Sequence, residues 1–235
     1  MSDPFNILGV IPARGGSKGI PRKNLVDLAG KPLIAYTIEA GLATAQIDRL
    51  VVSTEDEEIA KVAVEWGADV PFERPAELAS DRAHSLPVVQ HAIETMEKLD
   101  SCTYHAVVML QPTTPLRTVA DIDEGLELLL ESGADSVISL VDVGANHPFR
   151  MKKILDDGRV VNFVDQGFED MRPRQELPSV YIRSGDLYIA RRPVIMEMGT
   201  LVGPECRGVV IPPERAVNID TRFDLDRARE YLGKQ

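Results

Sequence analysis

The 235-residue sequence predicts an α/β protein built on a doubly wound, mostly parallel β-sheet. Short apolar runs are continuous rather than alternating, which is typical of parallel strands covered on both faces. Segments with apolar residues at helical spacing separate these runs, and strands that alternate with helices favour a doubly wound sheet. The predicted strands are residues 7–11, 50–53, 106–110, 136–141, 186–190 and 209–211.

The helices follow from spacing. Apolar residues recur at positions i, i+3, i+4 and i+7 in two segments that begin at Ile59 and Val89, and with small changes in a third that begins at Ile122. Another helix follows Pro32, where a first-turn proline is tolerated, and a last one carries Leu225.

Capping residues indicate where some of these helices start. Thr54 and Glu57 have the spacing of a capping box in front of the helix that contains Ile59. Arg117 either supports the loop in which it lies or caps the helix that begins near Thr118.

The alternation of strands and helices breaks between residues 142 and 180. Asp157 and Gly158 separate two short β-like runs, residues 151–155 and 159–164, and this is a hairpin signal. We therefore expect a small β-rich excursion at 142–180, inserted into a single domain that spans residues 1–235. An ordinary surface hairpin is the alternative.

The composition and charge of the chain exclude some classes of binding partner. The formal net charge of −11 argues against general binding to nucleic acid or to an anionic membrane, and it means that an anionic substrate needs a local cationic site. Cys102 and Cys206 offer neither a disulfide framework nor zinc spacing. The first apolar run is interrupted by Pro12 and Arg14, too early for a secretory signal, so we expect a cytoplasmic protein.

A glycine-rich loop at residues 14–24 follows the first predicted strand. It is rich in positive charge, whereas the protein as a whole is acidic. It interleaves three glycines with four cations: Gly15, Gly16 and Gly19 with Arg14, Lys18, Arg22 and Lys23. Glycines let backbone N–H groups approach a ligand, and the cations suit phosphate oxygens. The loop matches neither a Walker A motif nor a dinucleotide fingerprint. We interpret it as a polyphosphate cradle. A solvated basic turn would not explain the glycines.

The loop and four further segments resemble, in the same order, the acylneuraminate cytidylyltransferase (CMP-N-acetylneuraminate synthetase) family. The four segments are RPAELASD at 74–81, LQPTTPLR at 110–117, PRQELP at 173–178, and NIDT at 218–221 followed by Asp224 and Leu225. The resemblance implies a Rossmann-like nucleotidyltransferase fold. It also implies that the excursion forms a homodimer interface and lends residues to the partner's active site.

The loop supplies most of the predicted nucleotide site. Arg14, Lys18 and Lys23 would neutralise a triphosphate and stabilise charge as pyrophosphate leaves, which makes them catalytic candidates. Gly15, Gly16 and Ser17 complete the cradle, whereas we expect Arg22 to face solvent.

The resemblance adds Asn24, Arg74 and Ser85 to the nucleotide site. Alternatively, Arg74 is a surface arginine before a proline turn, and Ser85 caps the helix that follows it.

The residues predicted to bind the sugar, called the sugar side below, are one glutamine, two arginines and one tyrosine. Gln111 leaves its strand at the carboxyl edge, and its amide offers both donors and an acceptor; a turn residue held by backbone groups is the alternative. The family places this glutamine against the acidic sugar, which makes it a fourth catalytic candidate. Bidentate arginine suits a carboxylate, and matching to the family favours Arg150, Arg174 and Tyr188 for sugar recognition. Ser184 stands where the sialic acid enzymes carry asparagine, so the identity of the sugar is left open.

Asn218 and Asp220 are the candidate ligands for Mg²⁺, which takes hard oxygen ligands and bridges substrate phosphates. Alternation along an extended chain points both side chains to one face. Family members often have aspartate at both positions, so Asp220 is expected to dominate. Alternatively, Thr221 and Asp224 mark a helix start with Asp220 just outside it.

The sequence therefore predicts a magnesium-dependent cytidylyltransferase whose partners are CTP and an acidic α-keto sugar resembling sialic acid. Within the same chemistry the alternatives are a legionaminic, pseudaminic or ketodeoxyoctonate-type sugar, or GTP in place of CTP. A nucleotide-binding regulatory domain is the alternative outside enzymes. The four histidines show neither metal spacing nor a partner for nucleophilic catalysis, and no general base is identified.

Overall fold

A computed structural model of the protein describes residues 5–80 and 83–234. The strands are β1 (Ile7–Pro12), β2 (Asp27–Leu28), β3 (Lys31–Pro32), β4 (Arg49–Ser53), β5 (Ala106–Met109), β6 (Ser136–Asp142), β7 (Lys152–Ile154), β8 (Val160–Asn162), β9 (Tyr181–Arg191) and β10 (Cys206–Val210). The helices are α1 (Leu33–Leu42), α2 (Glu57–Glu65), α3 (Ser85–Asp100), α4 (Val119–Ser132), α5 (Arg192–Met196) and α6 (Arg222–Leu232). Within the described ranges, none of these helices has the length and apolar character needed to span a bilayer.

The central sheet has the strand order β10-β6-β9-β5-β1-β4. β1 is parallel to β4 and β5, and β10 is parallel to β6, whereas β9 is antiparallel to both of its neighbours. The predicted doubly wound, mostly parallel sheet is therefore confirmed. The reversed direction of β9 has a physical reason. The chain between β6 and β9 contains no crossover α-helix, so it returns beside β6 in the opposite direction.

Helices cover both faces of this sheet, which explains the continuous hydrophobicity of the strands. In β1, Ile7 and Ile11 pack into the core under α1, α2 and α4, whereas Leu8 and Val10 pack into the core under α3 and α5. All four side chains are buried. The strands β1, β4 and β5 each contribute to both cores, which is why both of their faces are apolar.

The predicted capping box in front of α2 is wrong, because α2 begins at Glu57 rather than two residues earlier. Asp56 caps this helix, and its Oδ1 atom accepts a hydrogen bond of 3.0 Å from the backbone N–H of Ile59. Thr54 instead accepts a hydrogen bond of 3.1 Å from the backbone N–H of Asp56. The threonine therefore shapes the turn that leads into the helix.

The excursion contains the predicted hairpin. β7 pairs antiparallel with β8, and Gly158 in the connecting turn has a φ of 82°, a conformation that favours glycine. The two strands form a sheet separate from the central one. Several large apolar side chains of the excursion and of the start of β9 are exposed to solvent: Ile154, Val160, Phe163, Phe168, Met171 and Ile182.

Candidate active site

A cavity of about 190 Å³ lies at the carboxyl edge of the central sheet. Its walls come from the chain that follows β1, from the segment that precedes and begins α3, and from the chain that follows β5. It brings together most of the predicted nucleotide residues and one predicted sugar residue: Arg14, Gly16, Ser17, Lys23, Asn24, Arg74, Ser85 and Gln111. These residues are spread over almost 100 positions of the sequence. The parallel strands β1 and β5 bring the residues that follow them to one edge, and Arg74 reaches the same edge through its contact with Ser53 at the end of β4.

Hydrogen bonds hold the glycine-rich loop in shape at this cavity. Asn24 is buried, and its side-chain amide donates a hydrogen bond of 2.9 Å to the backbone carbonyl of Arg14. The guanidinium of Arg14 donates one of 2.9 Å to the backbone carbonyl of Ser80, on the opposite side. The loop therefore folds back on itself and contacts the segment before α3.

Lys23 connects this loop to the carboxyl-terminal part of the chain. Its Nζ atom lies 2.9 Å from the Asp220 Oδ1 atom and 2.9 Å from the backbone carbonyl oxygen of Ile219. Gly19 lies against the same segment, because a Cβ atom added there would come within 2.2 Å of the Asp220 carbonyl oxygen. Lys23 also lines the cavity, so this ion pair stands at its edge.

The candidate metal ligands Asn218 and Asp220 point to the same side of the chain, as expected for alternate residues of an extended segment. Asn218 donates a hydrogen bond of 3.1 Å from its Nδ2 atom to the Asp220 Oδ2 atom. Thr221 and Asp224 form a capping box at the start of α6, so helix capping and an exposed Asp220 coexist. Among residues 5–80 and 83–234, no three His, Cys, Asp or Glu side chains gather into a metal-binding group.

Arg74 is a buried cation in the cavity wall. Its side chain donates a hydrogen bond of 3.1 Å from Nε to the Ser53 Oγ atom, and Nη2 contacts the Ser53 backbone carbonyl. Only 4% of the residue is exposed, so the alternative of a surface arginine is wrong. Burial lowers the pKa of Arg74 to about 10, which leaves the side chain charged at neutral pH.

Ser85 lies in the cavity wall as the first residue of α3. The cap position belongs to His84, and no side chain caps this helix start, so the alternative that Ser85 caps α3 is wrong. Asp81, the last residue of the 74–81 motif, lies outside the described residues.

Arg117 supports the loop that carries Gln111. Its guanidinium donates hydrogen bonds of 2.8 Å to the Gln111 carbonyl, 2.7 Å to the Thr114 hydroxyl and 2.6 Å to the Asp186 carbonyl. The helix that follows is capped by Thr118 instead, so the first of the two predicted roles for Arg117 is the one found. Burial lowers the pKa of Arg117 to about 10.

Gly15 and Lys18 are outside the cavity wall. The backbone N–H of Gly15 donates a hydrogen bond of 2.8 Å to the Glu55 Oε1 atom, and Lys18 is exposed. Arg22, predicted to face solvent, is 41% exposed and forms ion pairs with Asp56 and Glu58. Sequence analysis missed these acidic partners because they follow a different strand.

The remaining predicted sugar residues also lie outside the cavity wall. Arg150 and Arg174 are exposed in the excursion, where Arg150 donates to the Arg172 carbonyl and Arg174 lies 3.4 Å from the Asp142 Oδ1 atom. Tyr188 is on β9 opposite Met109, two residues before Gln111, and packs against the core under α3. The chain by itself therefore supplies only Gln111 of the predicted sugar side to this cavity.

Comparison with known proteins identifies the family and supports the fold. The cytidylyltransferase family model matches residues 8–186. The chain belongs to the cytidylyltransferase family. It is 34% identical over 222 residues to the pseudaminic acid cytidylyltransferase of Campylobacter jejuni, a match that covers 94% of each chain. This cytidylyltransferase is accordingly a nucleotidyltransferase, as the sequence predicted.

The resemblance to the acylneuraminate enzymes is also confirmed. The chain is 32% identical over 224 residues to the N-acylneuraminate cytidylyltransferase of Escherichia coli, covering 94% of this chain and 51% of that relative. The fold is similar to that of a CMP:2-keto-3-deoxy-manno-octonic acid synthetase solved with CTP. For that structure the TM-score is 0.69 and the identity 19%, over 97% of this chain and 99% of the other.

Asp186 is a buried carboxyl group beneath this site. The residue is fully buried, and among the described residues neither of its carboxylate oxygens has a hydrogen-bond partner. Burial raises the pKa of Asp186, while the nearby Arg117 and Arg215 cations oppose that rise and Asp121 adds to it. A raised pKa in the folded state means that folding favours the protonated form.

We predict that Asp186→Asn removes a pH-dependent loss of stability. In the wild type, the contribution of Asp186 is fully present below the unfolded-state pKa of about 4 and is lost as the pH rises through the raised folded-state pKa. The free energy of unfolding, measured in urea from pH 4 to pH 8, should therefore fall more steeply for the wild type than for the variant at the start of this range. Parallel curves would contradict the assignment.

Proposed function

We propose that the chain transfers CMP from CTP to an acidic α-keto sugar of the nonulosonic class and releases pyrophosphate. The cavity at the carboxyl edge carries this proposal. Arg14 and Lys23 supply positive charge at one wall, Arg74 and Ser85 lie at a second, and Gln111 offers an amide at a third. A triphosphate needs such charge in a protein of net charge −11.

The family relatives support this class of sugar. One is named for pseudaminic acid and another for N-acylneuraminic acid, and both names describe acidic sugars. The match to the pseudaminic relative covers nearly the full length of both proteins, whereas the N-acylneuraminate relative is about twice as long as the matched region. Pseudaminic acid is therefore the first sugar to test.

The chemistry is an in-line displacement at the α-phosphorus of CTP. The anomeric hydroxyl of the sugar attacks, a sugar-oxygen-to-phosphorus bond forms, and the bond to the bridging oxygen of pyrophosphate breaks. The hydroxyl proton is released, and pyrophosphate carries away the added negative charge. Arg14 and Lys23 are placed to bind the phosphates and stabilise that charge, while Gln111 orients the sugar. Positioning and charge neutralisation therefore carry most of the catalysis.

Mg²⁺ is proposed as the cofactor, with Asp220 as its main protein ligand. The donor set fits a cation held largely by substrate phosphates and water. Asp220 presents hard carboxylate oxygens, its side chain is 65% exposed, and it lies beside the loop at Lys23. Asn218 contributes an uncharged amide oxygen when its side chain turns. When bound, Mg²⁺ neutralises phosphate charge.

The proposed assembly is a homodimer formed through residues 142–180, the insertion in a proposed single domain that spans residues 1–235. Exposed apolar side chains on this segment support the proposal, since large apolar patches mark interaction sites. Dimerisation would also give Arg150 and Arg174, which lie in this segment, a route to a sugar site shared between two copies. A cytoplasmic location and the absence of nucleic-acid or membrane partners remain predictions.

The test is a pyrophosphate-release assay with Mg²⁺ across a substrate panel. CTP and GTP are each paired with pseudaminic, legionaminic, N-acetylneuraminic and ketodeoxyoctonic acids. We expect release with CTP and at least one nonulosonic acid. Binding of CTP without turnover for any sugar, unchanged by Asn218→Asp, would favour the regulatory alternative.

We predict that Lys23→Ala and Asp220→Ala each lower kcat by about 100-fold or more, because the first removes positive charge at the phosphate site and the second removes the main proposed ligand of Mg²⁺. The kcat of the purified variants with the best substrate pair is the measurement. Lys61→Ala, on the exposed face of α2, is the control and should retain wild-type turnover. Near-wild-type kinetics for both Lys23 and Asp220 variants would remove this mechanism.

We predict that Ile154→Asp shifts the protein from dimer to monomer, because Ile154 is 78% exposed on the hairpin and an aspartate there would be costly to bury between two copies. Sedimentation velocity measures the outcome. Val64→Asp, at a 60% exposed position of α2, is the control and should leave the dimer intact. A wild type that sediments as a monomer would exclude the proposed assembly.

A further inference from the structure

Both ends of the glycine-rich loop are fastened to the segment that starts α2. At the beginning of the loop, the backbone N–H of Gly15 donates a hydrogen bond of 2.8 Å to Glu55. Near its end, Arg22 forms a two-pronged ion pair with Asp56, in which Nη2 lies 2.9 Å from Oδ1, and Arg22 also pairs with Glu58. Three acidic residues within four positions therefore contact a cationic loop from another strand.

The contact is close as well as polar. A Cβ atom added at Gly15 would lie 2.4 Å from the Asp56 Oδ2 atom, so a larger residue here would displace the Asp56 side chain. Arg22 has a φ of 54° and a ψ of 37°, the left-handed conformation that residues other than glycine adopt infrequently. In this conformation its side chain forms the ion pairs with Asp56 and Glu58.

Asp56 has two tasks in this contact. It caps α2 through the backbone N–H of Ile59 while it receives the Arg22 guanidinium. The hydrogen bond from Arg22 is the main cause of the lowered pKa of the Asp56 carboxyl. Asp56 is therefore ionised at neutral pH, and the loop is tied to a rigid helix start.

Glu55 extends the contact toward the base side of the site. One carboxylate oxygen accepts from Gly15, and the other lies 4.0 Å from the Nη1 atom of the buried Arg74. Glu55 thus stands between the phosphate loop and the second cationic wall of the cavity. A single short segment sets the relative position of both.

Charge alone does not explain why acidic residues lie here. Three carboxylates beside a phosphate-binding loop lower its positive potential and oppose the binding of a triphosphate. The carboxylates instead favour binding by holding the loop in one conformation, since a loop that is already ordered loses less conformational entropy when its ligand binds.

We propose that Glu55, Asp56 and Glu58 form an acidic clasp that positions the phosphate loop for the nucleotide, with Arg22 as the loop's positioning residue. This inference rests on the proposed function. The clasp orders Arg14 and Lys23 before CTP arrives. Its loss transfers the cost of ordering to the binding step, which raises the Kd and KM for CTP and changes kcat much less.

The decisive comparison is between Asp56→Asn and Glu57→Gln, with the Kd for CTP measured by calorimetry. Asparagine still caps a helix but loses the charge that holds Arg22. Glu57 is exposed in the first turn of α2, undergoes the same change of charge, and has no polar partner among the described residues. We expect Asp56→Asn to bind CTP about 10-fold more weakly than the wild type, and Glu57→Gln to bind equally or more tightly.

Three further measurements serve as controls for this comparison. Glu58→Gln removes only an exposed carboxylate of the clasp and should weaken binding about threefold, which covers the case in which Asp56→Asn does not fold. Arg22→Asn, whose new side chain tolerates the left-handed conformation, should add little to Asp56→Asn in the double variant. In steady-state kinetics, the clasp variants should raise KM and leave kcat within about twofold.

The clasp is overturned if Asp56→Asn and Glu58→Gln bind CTP as tightly as Glu57→Gln does, or if kcat falls while KM stays constant. In either case the proposed function survives, because the wild type still binds and turns over CTP. A wild type that binds no CTP overturns the proposed function, and the clasp with it.

Discussion

The candidate active site exists because β4, β1 and β5 are parallel neighbours and end at the same edge of the sheet. The chain leaves the sheet at this edge after β1 and after β5, and these two stretches form two walls of the cavity. The segment before α3 forms the third wall, where Arg74 contacts Ser53 at the end of β4. Every other feature of the site is built on that convergence. The buried, two-sided packing of these strands is what holds the edge in place.

Charge at this edge is divided between binding and positioning. Arg14 and Lys23 face the cavity, while Arg117 is buried behind it and joins the Gln111 loop to β9. Acidic side chains form ion pairs with cations of the glycine-rich loop: Asp220 pairs with Lys23, and Asp56 pairs with Arg22. An acidic protein can therefore hold a cationic site without leaving its cations to repel one another.

The antiparallel strand β9 links the sheet to the excursion. It leaves the excursion at Tyr181 and enters the central sheet between β5 and β6. Gly185, with a φ of 88°, brings the strand against Gln111, and an added Cβ atom there would lie 3.1 Å from the Gln111 Oε1 atom. The strand thus joins the proposed sugar side of the cavity to the segment proposed to contact a second copy.

The sequence by itself determined most strands and helices, the hairpin at 157–158 and the character of the glycine-rich loop, because these follow from local periodicity and residue chemistry. It did not predict the short elements β2, β3 and α5. Together with the family motifs it also identified residues such as Arg74 and Gln111, which the structure brings to one cavity. Only the tertiary structure decided that β9 runs antiparallel, that Asp56 rather than Thr54 caps α2, and that Arg22 is paired. The contact between Arg22 and Asp56 joins residues that are 34 positions apart in the sequence. Local sequence patterns do not show which distant residues the folded chain brings together.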